Sequence, residues 1–493
     1  MLLLGIDLGT SAVKVSVIEA ASGRSLASAR YPADTEAPII ALQPGWAEQS
    51  PDTWWEQVQQ AIKMANASGK YNPADIAAIG IAYQMHGLVL TDKDDRVLRN
   101  AIIWCDSRAV PFGDAAFAAI GQSACLKKLL NSPGNFTAAK LAWVKANEPE
   151  VYGKIKHAML PGDFIALRLT GSTGTTASAL SEGILWDFET NDLSKDVLDY
   201  FGFDTSFFPA IRPVFAEHGR LSGTIAAALS LKAGIPVSYK AGDQPNNALS
   251  LNVLEPGEVA ATAGTSGVIY GVSDEPTFDP ASRVNSFAHV NHSAAATRTG
   301  VLLCVNGAGI LNRWIKDSFL PALGYPGMNE AAAGIKPGSE GLTVLPFGNG
   351  AERILNNRII GGQIHGLDFN LHQRAHLVRA AQEGIAFSLR YGLDIMRENG
   401  MHPTVIRAGS ANMFLSPVFT EAFVNATNTP VELYDCDGSA GAAIGAGIGA
   451  GIFTSAKEAF ANVQPLTMIS PSAPAIYESA YQRWKEILLK QLL

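Results

Sequence analysis

The chain opens with a hydrophobic pattern that predicts two β-strands joined by a tight turn. The run LLLGID is apolar enough for a buried strand, and LGTSA follows it as the turn. In the next run, VKVSVIEA, the side chains of Val13, Val15 and Val17 fall on one face of a strand, while Lys14 and Ser16 fall on the other. The pattern therefore indicates a β-hairpin and not a strand that leads into a helix.

Strand and helix patterns alternate through the rest of the first half. Apolar residues recur at helical spacing from Asp52 to Met64, and Asp52 suits the cap of that helix. The run AAIGIAYQMHG then predicts a buried strand that ends in a loop, and AIIWCD predicts another strand that ends at Asp106. Near Ile235 the run PVSYKAGDQ predicts a strand that ends in an exposed polar loop. We expect an α/β fold.

One run in the second half repeats the amino-terminal pattern. A Gly-Thr-Ser turn again lies between two apolar strands in EVAATAGTSGVIYGV, about half the chain away from the first such turn. This repeat predicts two related lobes, residues 1–245 and 246–493, with a cleft between them. Small residues in DGSAGAAIGAGIGAG allow a helix to pack closely near the end of the second lobe, and an amphipathic helix is predicted over 477–493.

Length and composition agree with two packed lobes and exclude several functional classes. The 493 residues are too many for one hydrophobic core, and 47% of them are hydrophobic while 17% are charged. The net charge of -8 includes no basic block, so nucleic acid is a poor candidate partner. No membrane segment is expected, because Asp7 interrupts the apolar amino terminus and the Gly/Ala-rich run is too short to span a bilayer.

The cysteines bear on the cellular compartment. Cys105, Cys125, Cys304 and Cys436 are scattered without a CxxC spacing, which suggests neither a disulfide framework nor a zinc site. We therefore expect a protein of the reducing cytoplasm.

The amino-terminal turn carries the first group of candidate functional residues. The backbone amide of Gly9 and the hydroxyls of Thr10 and Ser11 can point at phosphate oxygens, because glycine permits close approach. Asp7, at the end of the strand, is suited to hold Mg2+ through water. An ordinary hairpin with a turn-capping aspartate explains this turn equally well by itself. Its echo at Gly264–Ser266 favours a clamp on a polyphosphate, and P-loop and dinucleotide motifs are absent from the sequence.

Asp243 is the candidate catalytic base. It follows a strand and lies between Gly242 and a Pro-Asn-Asn sequence, in a loop where a carboxylate has little structural use. A carboxylate held over a substrate hydroxyl can accept its proton as that hydroxyl attacks phosphorus. The local sequence fits an Asx-turn residue equally well. The two phosphate-binding turns favour the catalytic interpretation.

Two polar loops, QMHG and WCDSR, each follow an apolar strand. Ligands of open α/β sheets lie outside the carboxyl ends of the strands, so we expect both loops to line one pocket. Met85 and Trp104 offer apolar faces to the carbon-bound hydrogens of a sugar. The side chains of His86, Asp106 and Arg108 offer hydrogen bonds to its hydroxyls. A lone histidine more often packs in a core, and the joint position of these residues is what supports a binding role.

Four further polar residues are assigned structural roles. His289 and His292 are three residues apart, but no carboxylate or cysteine lies nearby at a metal-ligand spacing. Glu352 and Arg353 are adjacent in PFGNGAERI, and we interpret them as an ion pair within a loop.

These motifs, in this order, resemble the FGGY family of carbohydrate kinases over the whole chain. The run GIDLGTSAVK is similar to the first phosphate motif of that family, AGDQPNN to the loop with the catalytic aspartate, and ATAGTSG to the second phosphate motif. The run GSAGAAIGAG is similar to the Gly/Ala-rich helix that follows the adenosine site. The resemblance implies two ribonuclease H-like domains of the actin, Hsp70 and sugar-kinase superfamily, the first binding sugar and the second binding ATP.

Within the family, three runs are similar to those of members that phosphorylate D-xylulose, namely WAEQSPDTWWEQV, IAYQMHGLVLTD and AIIWCDSRA. By that resemblance Met85 and His86 contact the ketose, Asp243 accepts the proton, and Asp7 supports Mg-ATP. A glycerol-specific member is expected to carry Arg-Glu in place of Met85 and His86, which argues against glycerol.

The resemblance also carries over two larger sets of residues. The adenosine motif departs from the Gly-Gly-Gly opening of the family, so within RAGSANMFLSPVF only 409–412 is retained. The substrate-binding set is Met85, His86, Trp104, Asp106 and Gln244. The ATP-binding set is Gly9, Thr10, Ser11, Lys14, Gly264, Thr265, Ser266, Gly409, Ser410 and Asn412.

Three interpretations of the function follow. The first is transfer of phosphate from ATP, with Mg2+, to D-xylulose, by an enzyme whose only expected macromolecular partner is a second copy in a homodimer. The second is a sister kinase that acts on ribulose, gluconate or another polyol. The third is a non-catalytic ATP-binding member of the superfamily, which would bind ATP without sugar-dependent turnover.

Overall fold

The computed structural model describes all 493 residues, and twelve strands and ten helices build its first half. In chain order the strands are β1 Leu2–Leu8, β2 Val13–Glu19, β3 Ser25–Tyr31, β4 Glu48–Gln49, β5 Ile76–Tyr83, β6 Val89–Thr91, β7 Ala101–Ile102, β8 His157–Met159, β9 Trp186–Asp187, β10 Asp192–Leu193, β11 Gly219–Arg220 and β12 Pro236–Gly242. The helices are α1 Pro51–Ala67, α2 Val110–Ile120, α3 Gln122–Leu129, α4 Thr137–Asn147, α5 Pro149–Tyr152, α6 Pro161–Thr170, α7 Ala177–Glu182, α8 Lys195–Phe201, α9 Gly223–Leu229 and α10 Asp243–Ser250.

Nine strands and seven helices build the second half. The strands are β13 Val259–Ala263, β14 Gly267–Ser273, β15 Asn285–Ala288, β16 Thr299–Val305, β17 Thr343–Phe347, β18 Gly361–His365, β19 Ile406–Gly409, β20 Val431–Tyr434 and β21 Thr467–Ile469. The helices are α11 Gly309–Phe319, α12 Tyr325–Ala333, α13 Arg374–Glu398, α14 Pro417–Thr427, α15 Gly438–Gly449, α16 Ala456–Ala459 and α17 Pro474–Gln491. None of the helices is both long and apolar enough to cross a membrane.

The two main sheets repeat one topology. The first has the order β11-β12-β5-β1-β2-β3, in which β12, β5 and β1 are parallel and β2 and β3 continue antiparallel. The second contains β20-β19-β13-β14-β16, in which β20, β19 and β13 are parallel and β14 and β16 continue antiparallel. Both predicted hairpins are therefore confirmed, and so is the α/β duplication that their repeat indicated.

Three local predictions differ from the structure. Helix α1 is capped by Ser50, whose hydroxyl accepts from Thr53 N, because serine before proline is a stronger start signal than Asp52 one residue later. Strand β7 is only two residues long and ends well before Asp106. The exposed loop expected after β12 is the helix α10, which begins at Asp243 itself.

Helix α15 belongs to the second half of the chain but packs on the first sheet. A Cβ on Gly5 would lie 1.8 Å from Ser439 O, and a Cβ on Gly80 would lie 1.9 Å from Ala442 O. Only glycine in the strands allows this approach. The close-packing Gly/Ala-rich helix predicted from the sequence is confirmed, and its docking brings the start of α15 to the end of β1.

The hydrophobic core joins the lobes where the candidate sugar loops lie. One core cluster belongs to the first sheet and another to the second. A third contains residues of both halves, including Met85 and Leu180 from the first and Val268 and Phe287 from the second. The loop after β5 is therefore packed against both lobes.

Candidate active site

Two carboxylates follow parallel strands of the first sheet and interact through their charges. Asp7 is the penultimate residue of β1, and Asp243 begins α10 directly after β12. Burial, together with the charge of Asp7, raises the pKa of Asp243 to about 7, although hydrogen bonds from Gln244 oppose that rise. Burial also raises the pKa of Asp7 to about 6, although the charge of Lys14, its cross-strand partner, opposes the rise. Carboxylates that titrate near neutrality suit proton transfer at physiological pH.

The start of α15 adds polar groups around Asp7. A Cβ on Gly438 would lie 2.6 Å from Asp7 Oδ2, so the helix meets this carboxylate directly. Asn246 Nδ2 donates to Gly438 O over 2.8 Å, and Asn246 Oδ1 is buried without a partner. Asp437 caps α15 by accepting from Ala440 N, and its charge contributes to the raised pKa of Asp7. Carboxylates that repel one another in this way fit a bound divalent cation.

The first phosphate turn, Gly9–Ser11, is held by neighbouring side chains. Gln49 Nε2 donates to Thr10 O over 2.8 Å, and Ala37 N donates to Ser11 O over 2.7 Å. Trp104 Nε1 donates to Thr10 Oγ1 over 2.9 Å, while half of the Trp104 surface remains exposed. The phosphate turn and the second candidate sugar loop are therefore in direct contact.

His86 has an unusual backbone and a fixed ring. Its φ of 62° lies in the left-handed region, which non-glycine residues rarely adopt. Its N–H donates to Glu182 Oε2 over 2.8 Å, and its carbonyl accepts from Lys140 Nζ over 2.7 Å. Ring atom Nδ1 is 2.9 Å from the carbonyl oxygen of Glu182, which can only accept, so Nδ1 carries the proton and Nε2 is an acceptor. Burial and the charge of Lys140 lower the pKa of His86 to about 3, so the ring is neutral.

Apolar side chains surround His86. The ring centroid of Phe136 is 4.8 Å from that of His86, and the ring of Phe287, from the second lobe, is 5.3 Å away. Met85 is buried, and a Cβ on Gly242 would lie 2.6 Å from its Cγ. The structure therefore brings both predicted residues of the first sugar loop to the strand end that carries the candidate base.

Asp106 and Arg108 are enclosed in an ion pair. Arg108 Nη2 donates to Asp106 Oδ2 over 2.6 Å, and Ala47 N donates to the same oxygen over 2.6 Å. The guanidinium of Arg108 also lies 3.7 Å from the ring centroid of Trp46. Asp106 has no exposed surface and therefore offers no oxygen to a sugar. We therefore assign Asp106 and Arg108 a structural role, which is to fix the loop that carries Trp104. The expectation that Asp106 contacts the sugar directly is corrected.

A cavity of about 350 Å³ adjoins the second phosphate turn. Three of its lining residues, Gly264, Thr265 and Asn412, belong to the predicted ATP-binding set. Gly309 N donates to Gly264 O over 2.9 Å, so the start of α11 forms another wall, and α12 contributes a third. Sequence reasoning missed α11 and α12, although the helix start in NGAGILNRWI directly after a strand is a signal for this wall. This cavity is the candidate site for the nucleotide.

The three other second-lobe members of the predicted ATP-binding set, Ser266, Gly409 and Ser410, lie outside the lining of this cavity, as do the four first-lobe members. Gly409 ends β19 beside Cys436, and Ser410 N donates to Tyr434 O over 2.8 Å. Ser266 lies near Cys304, whose thiol pKa is raised to about 12 chiefly by burial, then by the charge of Glu352, and in small part by the charge of Asp243. The second turn is therefore near the candidate base.

Glu352 and Arg353 do not pair with each other, contrary to the prediction. The carboxylate of Glu352 accepts from Asn306 N over 3.0 Å, just before the start of α11. Arg353 Nη2 donates to Ser132 Oγ in the first lobe over 3.2 Å, and its Nε is buried without a partner. Burial lowers the pKa of Arg353 to about 10. Arg353 is thus a second-lobe residue beside the sugar loops, which sequence reasoning missed.

Comparison with known proteins agrees with this architecture. Residues 2–250 match the family model described as FGGY family of carbohydrate kinases, N-terminal domain, and residues 259–452 match the corresponding C-terminal domain. The xylulose kinase of Bacillus subtilis (strain 168) is 32% identical over 423 residues, which cover 83% of this chain and 80% of that protein. The xylulose kinase of Escherichia coli (strain K12) is 30% identical over 501 residues, which cover 99% of each chain.

A solved structure shares the whole fold. The crystal structure of a xyloylose kinase from Brucella ovis superimposes with a TM-score of 0.89 at 28% sequence identity, and the match covers 99% of both chains. The two-lobed arrangement of this chain is therefore that of a known sugar kinase.

Proposed function

The chain belongs to the FGGY family of carbohydrate kinases, and on that basis we propose that it transfers the γ-phosphate of ATP to D-xylulose, giving D-xylulose 5-phosphate, with Asp243 as general base. The observation that carries this proposal is the position of Asp243 after β12, with a pKa of about 7, beside Asp7 and the Met85–His86 loop. Relatives that are called xylulose kinase and align with most of the chain support the choice of sugar.

In the proposed mechanism the ketose lies on the loop after β5. Neutral His86 accepts a hydrogen bond from a sugar hydroxyl at Nε2, and Met85 and Trp104 pack against carbon-bound hydrogens. Asp243 accepts the proton of the hydroxyl that attacks the γ-phosphate, and its pKa of about 7 lets it be ionised before the reaction. The lobes exclude water, which would otherwise compete as the acceptor.

The phosphate donor is held by both Gly-Thr-Ser turns in this proposal. Thr10 and Ser11 contribute from the first lobe and Thr265 from the second, where the cavity of about 350 Å³ takes the nucleoside. Asp7 is the carboxylate that would hold Mg2+ through water, and it interacts through its charge with Asp437 and Asp243. Bound Mg2+ would neutralise charge on the phosphates.

The function is tested by ADP production with purified protein, Mg2+ and ATP against a panel of D-xylulose, D-ribulose, L-ribulose, gluconate and glycerol. We expect stimulation by D-xylulose well above that by the other sugars. Stimulation by another sugar would retain the family chemistry and overturn the assignment of the ketose. Sugar-independent ATP binding without turnover on any member of the panel would overturn the kinase proposal.

A further inference from the structure

Two buried ionisable residues converge on the backbone of His86. Lys140, on α4, has no exposed surface, and its ammonium has a single hydrogen-bond partner, the carbonyl of His86 at 2.7 Å. Glu182, the last residue of α7, is 1% exposed and accepts the N–H of His86 at 2.8 Å. The backbone N–H and C=O of His86 are therefore each held by a side chain, and the two side chains come from different helices.

Neither residue is explained by packing alone. A buried ammonium that hydrogen-bonds no carboxylate is unfavourable, although the charges of Asp106 and Glu182 partly offset the cost for Lys140, and methionine would fill the same volume without that penalty. Burial lowers the pKa of Lys140 to about 7, which reflects this unfavourable environment. Burial likewise holds the pKa of Glu182 well above its ordinary value. Perturbed groups of this kind, next to a candidate site, indicate a functional role.

The segment that they hold requires support. His86 has a φ of 62°, a conformation that its side chain disfavours and that persists only where neighbouring contacts fix it. The ring is fixed as well, because Nδ1 donates to the carbonyl of Glu182 over 2.9 Å. These contacts leave Nε2 as the acceptor of the ring. We propose that Lys140 and Glu182 are positioning residues that hold His86 in this conformation and aim its Nε2 at a sugar hydroxyl.

Glu182 also joins His86 to the strands that frame the site. Its Oε1 accepts from the hydroxyl of Tyr83, the last residue of β5, over 2.9 Å. The same oxygen would be 3.1 Å from a Cβ on Gly242, the residue before Asp243. One carboxyl group thus contacts the ends of β5 and β12 and the histidine between them. Its loss is expected to change the orientation of His86 relative to the base.

The proposal rests on the proposed function, since it assigns a role in sugar binding. Lys140→Met and Glu182→Leu each remove one hydrogen bond to the His86 backbone with little change in volume. We expect the KM for the sugar to rise at least tenfold in both variants, with a smaller change in kcat. The sugar is whichever member of the panel gives the wild-type protein its highest kcat/KM.

Two variants serve as matched comparisons. Lys145, on the same helix α4, also donates to backbone carbonyls, those of Phe201 and Gly202, but not at the candidate site. We expect Lys145→Met to leave the sugar KM within twofold of wild type. Glu182→Gln keeps the shape and can accept from His86 N while its amide donates to Tyr83, so we expect it to retain a sugar KM within threefold of wild type.

A second measurement does not depend on the sugar. Long-range 1H–15N spectra of protein labelled at histidine, with His86→Gln to assign the signal, report the tautomer of the ring. We expect the Nδ1–H tautomer in wild type and Glu182→Gln, and a mixture of tautomers in Lys140→Met and Glu182→Leu. If Lys140→Met does not fold, the two Glu182 variants decide the proposal.

The outcomes separate this inference from the proposed function. An unchanged sugar KM and an unchanged His86 tautomer in Glu182→Leu would overturn the positioning role. A fall in kcat and thermal stability with the KM and tautomer of wild type would assign Glu182 and Lys140 to folding alone and overturn it too. If no sugar of the panel is phosphorylated, the proposed function fails, and the histidine spectra still confirm or overturn the positioning of His86.

Discussion

In its proposed role as general base, Asp243 is under opposite demands from folding and from catalysis. Its pKa is raised from 3.8 to about 7 by burial and by Asp7, so the unfolded chain gives up this proton more readily than the folded one. The carboxyl group therefore favours the folded state only at low pH, and its ionisation destabilises the protein increasingly from about pH 4 to about pH 7. Above pH 7 the full penalty is present. An ionised base in a buried site is what proton abstraction requires.

Asp243→Asn should accordingly raise stability while it greatly lowers kcat. At pH 8 we expect the Tm to rise by a few degrees, at about 2 °C per kcal/mol for a chain of this size, and kcat to fall by about 10²- to 10⁴-fold. Calorimetry and a coupled ADP assay measure the two effects. Asp163→Asn is the comparison, since it removes the carboxylate 2.5 Å from buried Lys240, leaves that ammonium only the carbonyl of Gly174, and should lower the Tm. A fall in Tm for Asp243→Asn as well would contradict this assignment.

The same raised pKa sets the pH dependence of turnover. Below pH 7 a growing fraction of Asp243 is protonated, so kcat/KM for the sugar should fall by up to about tenfold per pH unit, and more steeply below pH 6, where Asp7 is protonated as well. The ring of His86 does not contribute to this pH dependence, because burial and the charge of Lys140 lower its pKa to about 3. We expect His86→Gln to lower kcat/KM without moving the midpoint near pH 7. A midpoint that shifts in this variant would mean that the histidine, and not the aspartate, is the titrating group.

Single residues could be predicted from the sequence where their signature is local. The Gly-Thr-Ser turns and Asp243 lie in short motifs next to strands, so pattern and chemistry were enough to select them. Lys140 and Glu182 were missed and Arg353 was wrongly assigned to a loop ion pair, because their partners at the site are 54, 96 and 221 residues away in the chain. Conversely, Asp106 was selected for its loop position, and only the structure reveals that its carboxylate is already paired with Arg108.

At the scale of elements, α15 links the second half of the chain to the Mg2+ candidate site. A Cβ on Gly80 would lie 1.9 Å from Ala442 O, so Gly80→Ala must push the helix away from the first sheet. We expect a loss of about 1–3 kcal/mol or more in the free energy of unfolding. The KM for Mg-ATP should rise as well, because the start of α15 contacts Asp7 through Gly438. Denaturant unfolding and initial-rate kinetics measure both effects.

Gly223→Ala provides the comparison for this substitution. Gly223 begins α9, has ordinary helical geometry, and would place a Cβ with nothing within 4 Å. Because alanine is the better helix former, we expect unchanged or slightly higher stability. If Gly80→Ala behaved like Gly223→Ala, the close approach of α15 to the first sheet would not be a requirement of the fold.

The predicted elements were correct where hydrophobic periodicity continued over many residues. Strands β1, β2, β5, β13 and β14 and helices α1, α15 and α17 are all near their predicted bounds. The prediction failed after β12, where Asp-Gln-Pro-Asn-Asn has the composition of a turn but begins α10. Aspartate and proline are also common in the first turn of a helix. The burial of Ala248 and Leu249 in the core favours the helix over the turn.

For the whole molecule, the repeat of one motif was enough to predict two related lobes. Both sheets have the same order of three parallel and two antiparallel strands, as duplication requires. The position of α15 was not predictable, since this helix belongs to the second half of the chain but packs on the first sheet through backbone contacts at glycines. The sequence does not distinguish a glycine against which a helix packs from a glycine in a turn.

The contact of Arg353 with the first lobe leads to a prediction about lobe closure. Glu352 accepts a hydrogen bond from Asn306, next to the start of α11 at the candidate nucleotide cavity, whereas Arg353 donates to Ser132 beside the candidate sugar loops. These adjacent residues therefore lie near both proposed ligand sites, and we expect each ligand to strengthen binding of the other through the closed state. Phe136 supports the guanidinium at 6.0 Å from its ring centroid.

Calorimetric titration of the sugar, with and without a non-hydrolysable ATP analogue, measures this coupling as a ratio of Kd values. In Arg353→Met the ratio should fall toward one, because the second lobe loses its bond to Ser132. Ser132→Ala should reduce the ratio by a similar factor, and the double variant should show no further loss, since both changes break one contact. Independent, additive effects of the two substitutions would instead mean that closure is carried by other interlobe contacts, such as the two hydrogen bonds between Asn131, the residue before Ser132, and the backbone of Ser286.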